Sequence, residues 1–520
     1  MRAPLLALGL SLCAVPGTAQ EPARDPARTE PWLATRLPTP LIYLVSQALD
    51  GSEASPSRDP LYLARLGLRL VQGEDEGDVA GLGGSASAVL QRLLQRAGGE
   101  IELAFSDLLP REGRPGLPVL VFRAGLDEAT ARSMAEVLGR GELSRSTRTI
   151  DGHSIHALGD AGGSGDLEVC LIGRDLIVAN HSASLDAVLT ARRAGTSASR
   201  ETLALNRDYQ TMRGRLAAEA GTVTVFADWK RVQQVLAPRA AVRVQQLADW
   251  FGLTPVRSVM LNLNPQKDGV QSSICVARDD SGEGWLNWIA PARGAQLQAG
   301  VPRGSLGGAA FHLDLERVLR SEVPLGFGRV RATPRSGFRA MGLDLERSIL
   351  RRLTGSASVQ LLLVGTAEEI QPAYTLRAKD RSAAAALYGE IRRNLLQMGL
   401  GVVRTVAGGV ECLAIHMPQL SQDPVAFLTV ADDALLLGLH AGTLPEALAA
   451  MRGAKSRGPG LQNALQRLGA GKQPNLGAVF SFELPGLAAN AGEPAPAPSR
   501  HHGALRVEDG MVRIDVFSQS

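Results

Sequence analysis

The strongest constraint on this chain is that two long stretches carry the same succession of local patterns. Residues 118–124 read PVLVFRA and 372–378 read PAYTLRA, each followed by a helix-like segment, at 127–139 and 380–395. STRTIDGHSIHAL at 146–158 is matched by VVRTVAGGVECLAI at 402–415. DLEVCLIGRDLIVANHSASLDAVL at 166–189 is matched by the stretch 423–448, and 261–276 by 503–516. The offset is roughly 240–260 residues, far too long for a solenoid repeat, so the spacing points to a duplicated domain. A chain of 520 residues with 45% hydrophobic and 21% charged residues is long and apolar enough for two such cores.

Turn chemistry then selects the sheet type. Ile150-Asp151-Gly152-His153 carries a hairpin signal, and Asp268-Gly269 and Asp509-Gly510 are two more at matched places. Hairpins make neighbouring strands antiparallel. Helix starts are legible at Asp127, followed by the stripe Ala131, Met134 and Leu138. A second start is legible at Asp380, followed by Ala383, Leu387, Ile391 and Leu395. The expected fold class is α+β: two related domains, each a mostly antiparallel curved sheet with helices packed on one face.

The expected boundaries follow composition. Residues 1–19 read as a signal peptide, with Arg2, a short apolar run and a small-residue cleavage site ending at Ala19. Leu12 before Cys13 is too large for the usual lipobox, so lipidation is not expected. Residues 20–36 read as a flexible Pro-rich leader, 37–290 as a first domain and 291–520 as a second, with a Pro-rich spacer at 487–503. Helical spacing is also visible at 61–72, 85–97 and 239–251. No stretch of the mature chain is long and apolar enough to predict a membrane span. Cys170, Cys275 and Cys412 each sit in a strand-like apolar run and read as small buried hydrophobes.

Chemistry is harder to find. No phosphate-binding loop, dinucleotide fingerprint, zinc-protease motif, nucleophile elbow or CxxC occurs in a supporting context. His181 and His440 match between the halves, and each follows a strand and precedes a helix, where an imidazole can hold a ligand or merely tolerate the turn. Arg329, Arg331, Arg335 and Arg339 lie in 323–343, which contains no acid, and suit an anion. Glu316, Glu322, Asp344 and Glu346 flank that stretch and can neutralise it. His153 and His156 point to opposite faces of a strand, so no metal is expected there. His501-His502 lies in the spacer and is expected to be solvated. The acidic runs 74–78 and 279–283 lack calcium-loop spacing and read as solvated turns. Trp285 and Trp288, with Trp250-Phe251 upstream, read as apolar packing between the halves. No cofactor is expected. A net charge of +3 and 4% aromatics give no nucleic-acid signature.

Three stretches carry a resemblance: VPRGSLGGAAFHLDLERVL at 301–319, the segment 166–189, and ETLALNRDYQTMRGRLAAEAGTVTVFADW at 201–229. In their order of elements they resemble uncharacterised secreted bacterial proteins grouped as a domain of unknown function. The resemblance implies an exported α+β protein and supplies no activity or site residues. The reading that follows is an exported, non-catalytic binding or scaffold protein whose partner is another protein or an anionic surface ligand. The alternatives are a hydrolase with its site between the halves, or a carrier of an apolar ligand.

Overall fold

The computed structural model describes residues 31–46, 100–111, 114–141, 144–158, 167–190, 202–216, 223–236, 253, 255–266, 269–279, 285–292, 305–320, 323–324, 331–332, 342–364, 369–417, 421–451, 475–484, 499–508 and 510–519. The chain divides into two compact units. The first lies within Val15–Arg239 and Arg257–Val270, the second within Ala240–Val256 and Gln271–Ser520.

The first unit contains β1 (Ile42–Ser46), β2 (Ile101–Arg111), β3 (Arg114–Gly125), α1 (Glu128–Gly139), β4 (Ser146–Ile150), β5 (His153–Leu158), β6 (Leu167–Ile172) and β7 (Asp175–Ala179). It continues with α2 (Ser182–Thr190), α3 (Arg207–Leu216), β8 (Val223–Ala227), α4 (Trp229–Leu236) and β9 (Val256–Gln266). Its strands lie in the order β4-β5-β6-β7-β3-β2-β1-β8-β9, antiparallel at every step.

The second unit contains β10 (Gly269–Arg278), α5 (Trp285–Trp288), β11 (Ser305–His312), α6 (Leu315–Arg320), the ribbon β12 (Val323–Pro324) and β13 (Arg331–Ala332), and a π-helical turn at Leu345–Leu350. It continues with β14 (Leu353–Val364), β15 (Glu369–Ala378), α7 (Arg381–Gln397), β16 (Gly401–Ala407), β17 (Val410–His416), β18 (Ala426–Ala431) and β19 (Ala434–Gly438). The last elements are α8 (Thr443–Met451), β20 (Leu476–Leu484), β21 (Ser499–Glu508) and β22 (Met511–Gln519). Its strands lie in the order β16-β17-β18-β19-β15-β14-β11-β20-β21-β22, again antiparallel throughout. The succession of pairings in the first unit is the same as that over β16 to β21 in the second, which adds β22 at its end.

The expected α+β build, with helices packed on one face of each of two sheets, is corrected here. Among the described residues, the strands of each unit form an antiparallel sheet, strand prevails over helix, and no layer of helices covers a sheet face. The physical reason is visible in the cores. In the second unit, Ala384, Leu387 and Leu395 of α7 cluster with Leu428 and Leu435. Leu444 and Ala447 of α8 cluster instead with Phe427 and Leu436. Adjacent residues on a strand point to opposite faces, so the two helices feed clusters of opposite parity. In the first unit the stripe Ala131, Met134 and Leu138 joins Phe122, Val169 and Val178 in a local cluster.

Local signals set the individual elements. Asp151 and Gly152 take positive φ, 51° and 80°, and join β4 to β5 with Ile150 opposite His153. Gly510 also has positive φ at the β21–β22 turn, where Glu508 opposes Met511; Asp268 and Asp509 lie outside the described residues. Asp127 caps α1 by accepting the Thr130 amide at 2.8 Å, and Asp380 caps α7 by accepting the Ala383 amide at 2.7 Å. The three described cysteines are free and buried; burial pushes the Cys170 thiol up to about 11 and raises that of Cys412. The segments 61–72, 85–97 and 239–251 lie outside the described residues, as do the acidic run 74–78 and Trp250-Phe251. Among the described residues, no helix is long and apolar enough to cross a membrane.

Residues 32–36 fall in the stretch expected as leader, and they are tied down. Leu33 and Ala34 are fully buried. The carboxylate of Glu102, itself 0% exposed, accepts the amides of Trp32 at 3.0 Å and Leu33 at 2.8 Å and the Tyr43 hydroxyl at 2.6 Å. Arg123 donates to Glu102 and also pairs with Glu100 at 3.0 Å and Asp175 at 2.7 Å. Burial pushes the Glu102 carboxyl up, against the pull of Arg123 and Tyr43. Four donors from three segments thus converge on one carboxylate. We expect Glu102→Ala to cost about 3–5 kcal/mol, the cost of leaving buried donors and Arg123 without their acceptor. Glu102→Gln should cost less. Urea denaturation checks this, and a wild-type midpoint for Glu102→Ala would refute it.

Candidate functional site

A cleft of about 710 Å³ lies in the second unit. Its lining begins where β11 ends and α6 starts, at Leu313–Arg317 and Arg320. Leu350 from the π-helical turn, Leu353 and Thr354 from β14, and Lys379 after β15 complete it.

The walls are placed by identifiable bonds. Asp314 starts α6, accepting the Arg317 amide at 3.0 Å, while its own amide donates to the Trp288 carbonyl at 2.7 Å. The π-helical turn is held to α7 because Glu390 accepts from both Ser348 Oγ and Arg352. Lys379 donates its backbone amide to the Arg352 carbonyl at 2.8 Å and its Nζ to the Leu350 carbonyl at 3.2 Å. A register shift between Leu353 and Ala357 bulges β14 at this point. Gly355 sits in the bulge with φ +89°, and any Cβ there would run into the Leu313 carbonyl oxygen, so only glycine lets β14 approach the cleft wall.

Chemically the lining mixes leucines with charged side chains, and its exposed surface is more polar than apolar. Leu313, Leu315, Leu350 and Leu353 are its apolar members. Among the charged members, Arg320 pairs with Glu316 at 3.0 Å and Arg317 with Asp314 at 3.4 Å, and Lys379 adds a further cation. Both ion pairs are well exposed, so each is weak and can open toward a ligand.

The histidines belong elsewhere. His181 is half-buried, and its carbonyl accepts the Ser184 amide at 3.1 Å at the start of α2. His440 is exposed; its Nδ1 accepts the Gly442 amide at 3.1 Å, and its carbonyl accepts the Thr443 hydroxyl at 2.7 Å. Both shape the turn into a helix, and neither lines the cleft. Arg331 lies in the ribbon β13, opposite Pro324. Arg329, Arg335 and Arg339 lie outside the described residues.

The expected solvation of His501-His502 is corrected. β21 reaches back to Ser499, so both histidines sit in a strand paired on both sides. His502 is buried against the Ser481 hydroxyl at 2.9 Å, and His501 lies between Ser499 at 3.0 Å and Ser518 at 2.9 Å. Two more such pairs occur: His156 Nδ1 with Ser144 Oγ at 3.0 Å and His312 Nδ1 with Ser356 Oγ at 3.3 Å. A serine–histidine pair becomes a catalytic pair when the serine faces a substrate space. Ser356 and Ser481 are buried, and none of the five pairs lines the cleft. Their arrangement is that of polar groups satisfied in a packed sheet.

The cleft residues escaped the sequence reading. Their signal was present in Asp314-Leu-Glu-Arg317-Val-Leu-Arg320, where i,i+3 and i,i+4 charge pairs mark one short helix. Nothing in that helix announces the distant partners Leu350 and Lys379.

No protein-family model matches the chain, and no curated protein matches it. Two crystal forms of a protein called TP0453 are similar in structure. Form III has a TM-score of 0.25 and 10% identity, covering 50% of this chain and 85% of that one. Form I has a TM-score of 0.24 and 9% identity, covering 49% and 81%. Likeness of that degree carries nothing about fold or function.

Burial lowers the pKa of His156, His312 and His501 below the ordinary value near 6.5. Between the depressed folded values and 6.5 the unfolded chain binds more protons, so stability rises with pH there. The contribution is complete above 6.5 and lost as pH falls through the depressed values. The melting temperature should therefore drop on acidification from about pH 7 to about pH 5, and His156→Gln should flatten that slope. An unchanged slope in the variant would remove His156 from the account.

Proposed function

We propose that this is an exported, non-catalytic binding protein whose ligand site is the cleft between α6, the π-helical turn and β14. The observation that supports the reading is the composition of the cleft. Four leucines line it together with three cations and two acids. That combination suits an amphipathic ligand with an apolar body and an anionic head. The repeated order of strand pairings supports reading the chain as a duplicated module, with the cleft elaborated in the second copy.

Anilinonaphthalene sulfonate, an apolar anion, is a suitable probe. It should bind the folded chain, and Lys379→Glu together with Arg320→Glu should weaken it roughly tenfold by reversing the charge of two lining residues. Leu350→Asp should weaken it as well. Equal probe affinity across these variants, at unchanged melting temperature, would remove the cleft from the proposal.

Export is supported by the N-terminal pattern of Arg2, an apolar run and Gly17-Thr18-Ala19. The mature chain should start just after Ala19. N-terminal sequencing of protein from the producing cell decides it, and a mature chain starting at Met1 would end this part of the reading.

A further inference from the structure

Among the described residues, the first unit and the second each end on a strand paired on one side: β4, bonded to β5, and β16, bonded to β17. The two edges differ in chemistry. β4 reads STRTI, and its Arg148 is engaged with Glu168 and Asp186, each at 2.6 Å. Short length and engaged polar groups are how edges are kept from pairing. β16 reads GVVRTVA and leaves Val403 54% and Val406 64% exposed. Just before it, Leu396 and Met398 are 47% and 49% exposed. Residues 391–410 hold Arg392, Arg393 and Arg404 and no acid. Arg404 is exposed and has no carboxylate partner among the described residues. Arg392 lies nearby, since both arginines act on the Tyr388 hydroxyl, which burial nonetheless raises.

We propose that the open edge of β16 is a strand-addition site for a partner protein, which supplies an extended segment with an acidic residue opposite Arg404 and aliphatic residues opposite Val403 and Val406. Three observations select this occupant. An edge strand presents unpaired amides and carbonyls in a row, and an extended backbone satisfies them. Val403 and Val406 are three residues apart and so face opposite sides of the sheet. A flat membrane reaches one of them; a strand laid alongside places neighbours against both. Finally, Arg404 shares its face with Val402 and Val406. A second copy of β16 centred on the same residue would set Arg404 against Arg404, whereas a carboxylate there completes a cross-strand ion pair.

The test uses the full chain, its R404E variant and two fluorescent heptapeptides, TVTEVVT and TVTKVVT, followed by anisotropy. Antiparallel to β16, the central residue of each peptide lies opposite Arg404. The acidic peptide should bind the native chain and bind R404E roughly five- to tenfold more weakly, with the order reversed for the lysine peptide. V406K should also weaken the acidic peptide, and melting temperatures are followed alongside to show that both variants are folded. Absence of binding, or equal affinity for native and R404E chains, overturns the proposal. Flotation with phosphatidylglycerol vesicles that is lost in R404E, without peptide binding, assigns the edge to a membrane and overturns it. A dimer seen by sedimentation and lost in R404E, without peptide binding, assigns the edge to a second copy and overturns it too. Anilinonaphthalene sulfonate binding on the same samples separates failure at this edge from failure of the cleft reading.

Discussion

Antiparallel main-chain pairing is the constraint on which the rest of this structure depends. A sheet satisfies each strand's amides and carbonyls only through its neighbours, so every strand must be flanked or must be an edge. In both units the chain meets this demand with the same order of partners. The long central strands β2, β3, β14 and β15 take neighbours on both sides, and short hairpins extend the sheet outward. What remains unpaired is concentrated at the outer strands, and there the two units differ in their side chains while sharing their topology.

Much of this was legible in the sequence, and the reasons are local. Asp151-Gly152 requires positive φ, and the turn follows from that requirement alone. Asp127 and Asp380 announce their helices because a carboxylate two or three residues ahead of free amides caps them wherever the helix later packs. The positions of the helices over the sheet were not legible. Whether α7 and α8 reach one face or two depends on the parity of strands far away in sequence, such as Phe427 and Leu428. The cleft was hidden for the same reason, since Leu315, Leu350 and Lys379 meet only after β14 and β15 have paired. His501 and His502 misled because proline-rich sequence before them suggested solvent, whereas β21 begins at Ser499.

The buried charges show how a sheet this polar inside stays specific. Glu102 is enclosed, yet its oxygens are filled by amides, a phenol and a guanidinium. In the second unit, Asp515 is similarly enclosed, accepting from Ser273 at 2.7 Å and Arg513 at 2.9 Å and pairing with Arg506 at 2.9 Å. Such networks contribute little net stability against an apolar replacement, but a slipped register would strand each charge without its partners. They act as checks on strand register, which hydrophobic alternation leaves open to shifts of two residues.

The three buried cysteines have a consequence for how this molecule reveals its own motions. A thiol raised to about 11, as Cys170 is, holds roughly one thiolate per ten thousand molecules at neutral pH, and only the thiolate reacts. Counting the edge strand as the first, Cys170 lies in β6, the third strand of its unit, and Cys412 in β17, the second strand of its unit. Alkylating reagents therefore meet these sulfurs only when the outer hairpins open. The rate of labelling at each is a clock for local unfolding of its own unit, supplied by the chain without any engineered probe.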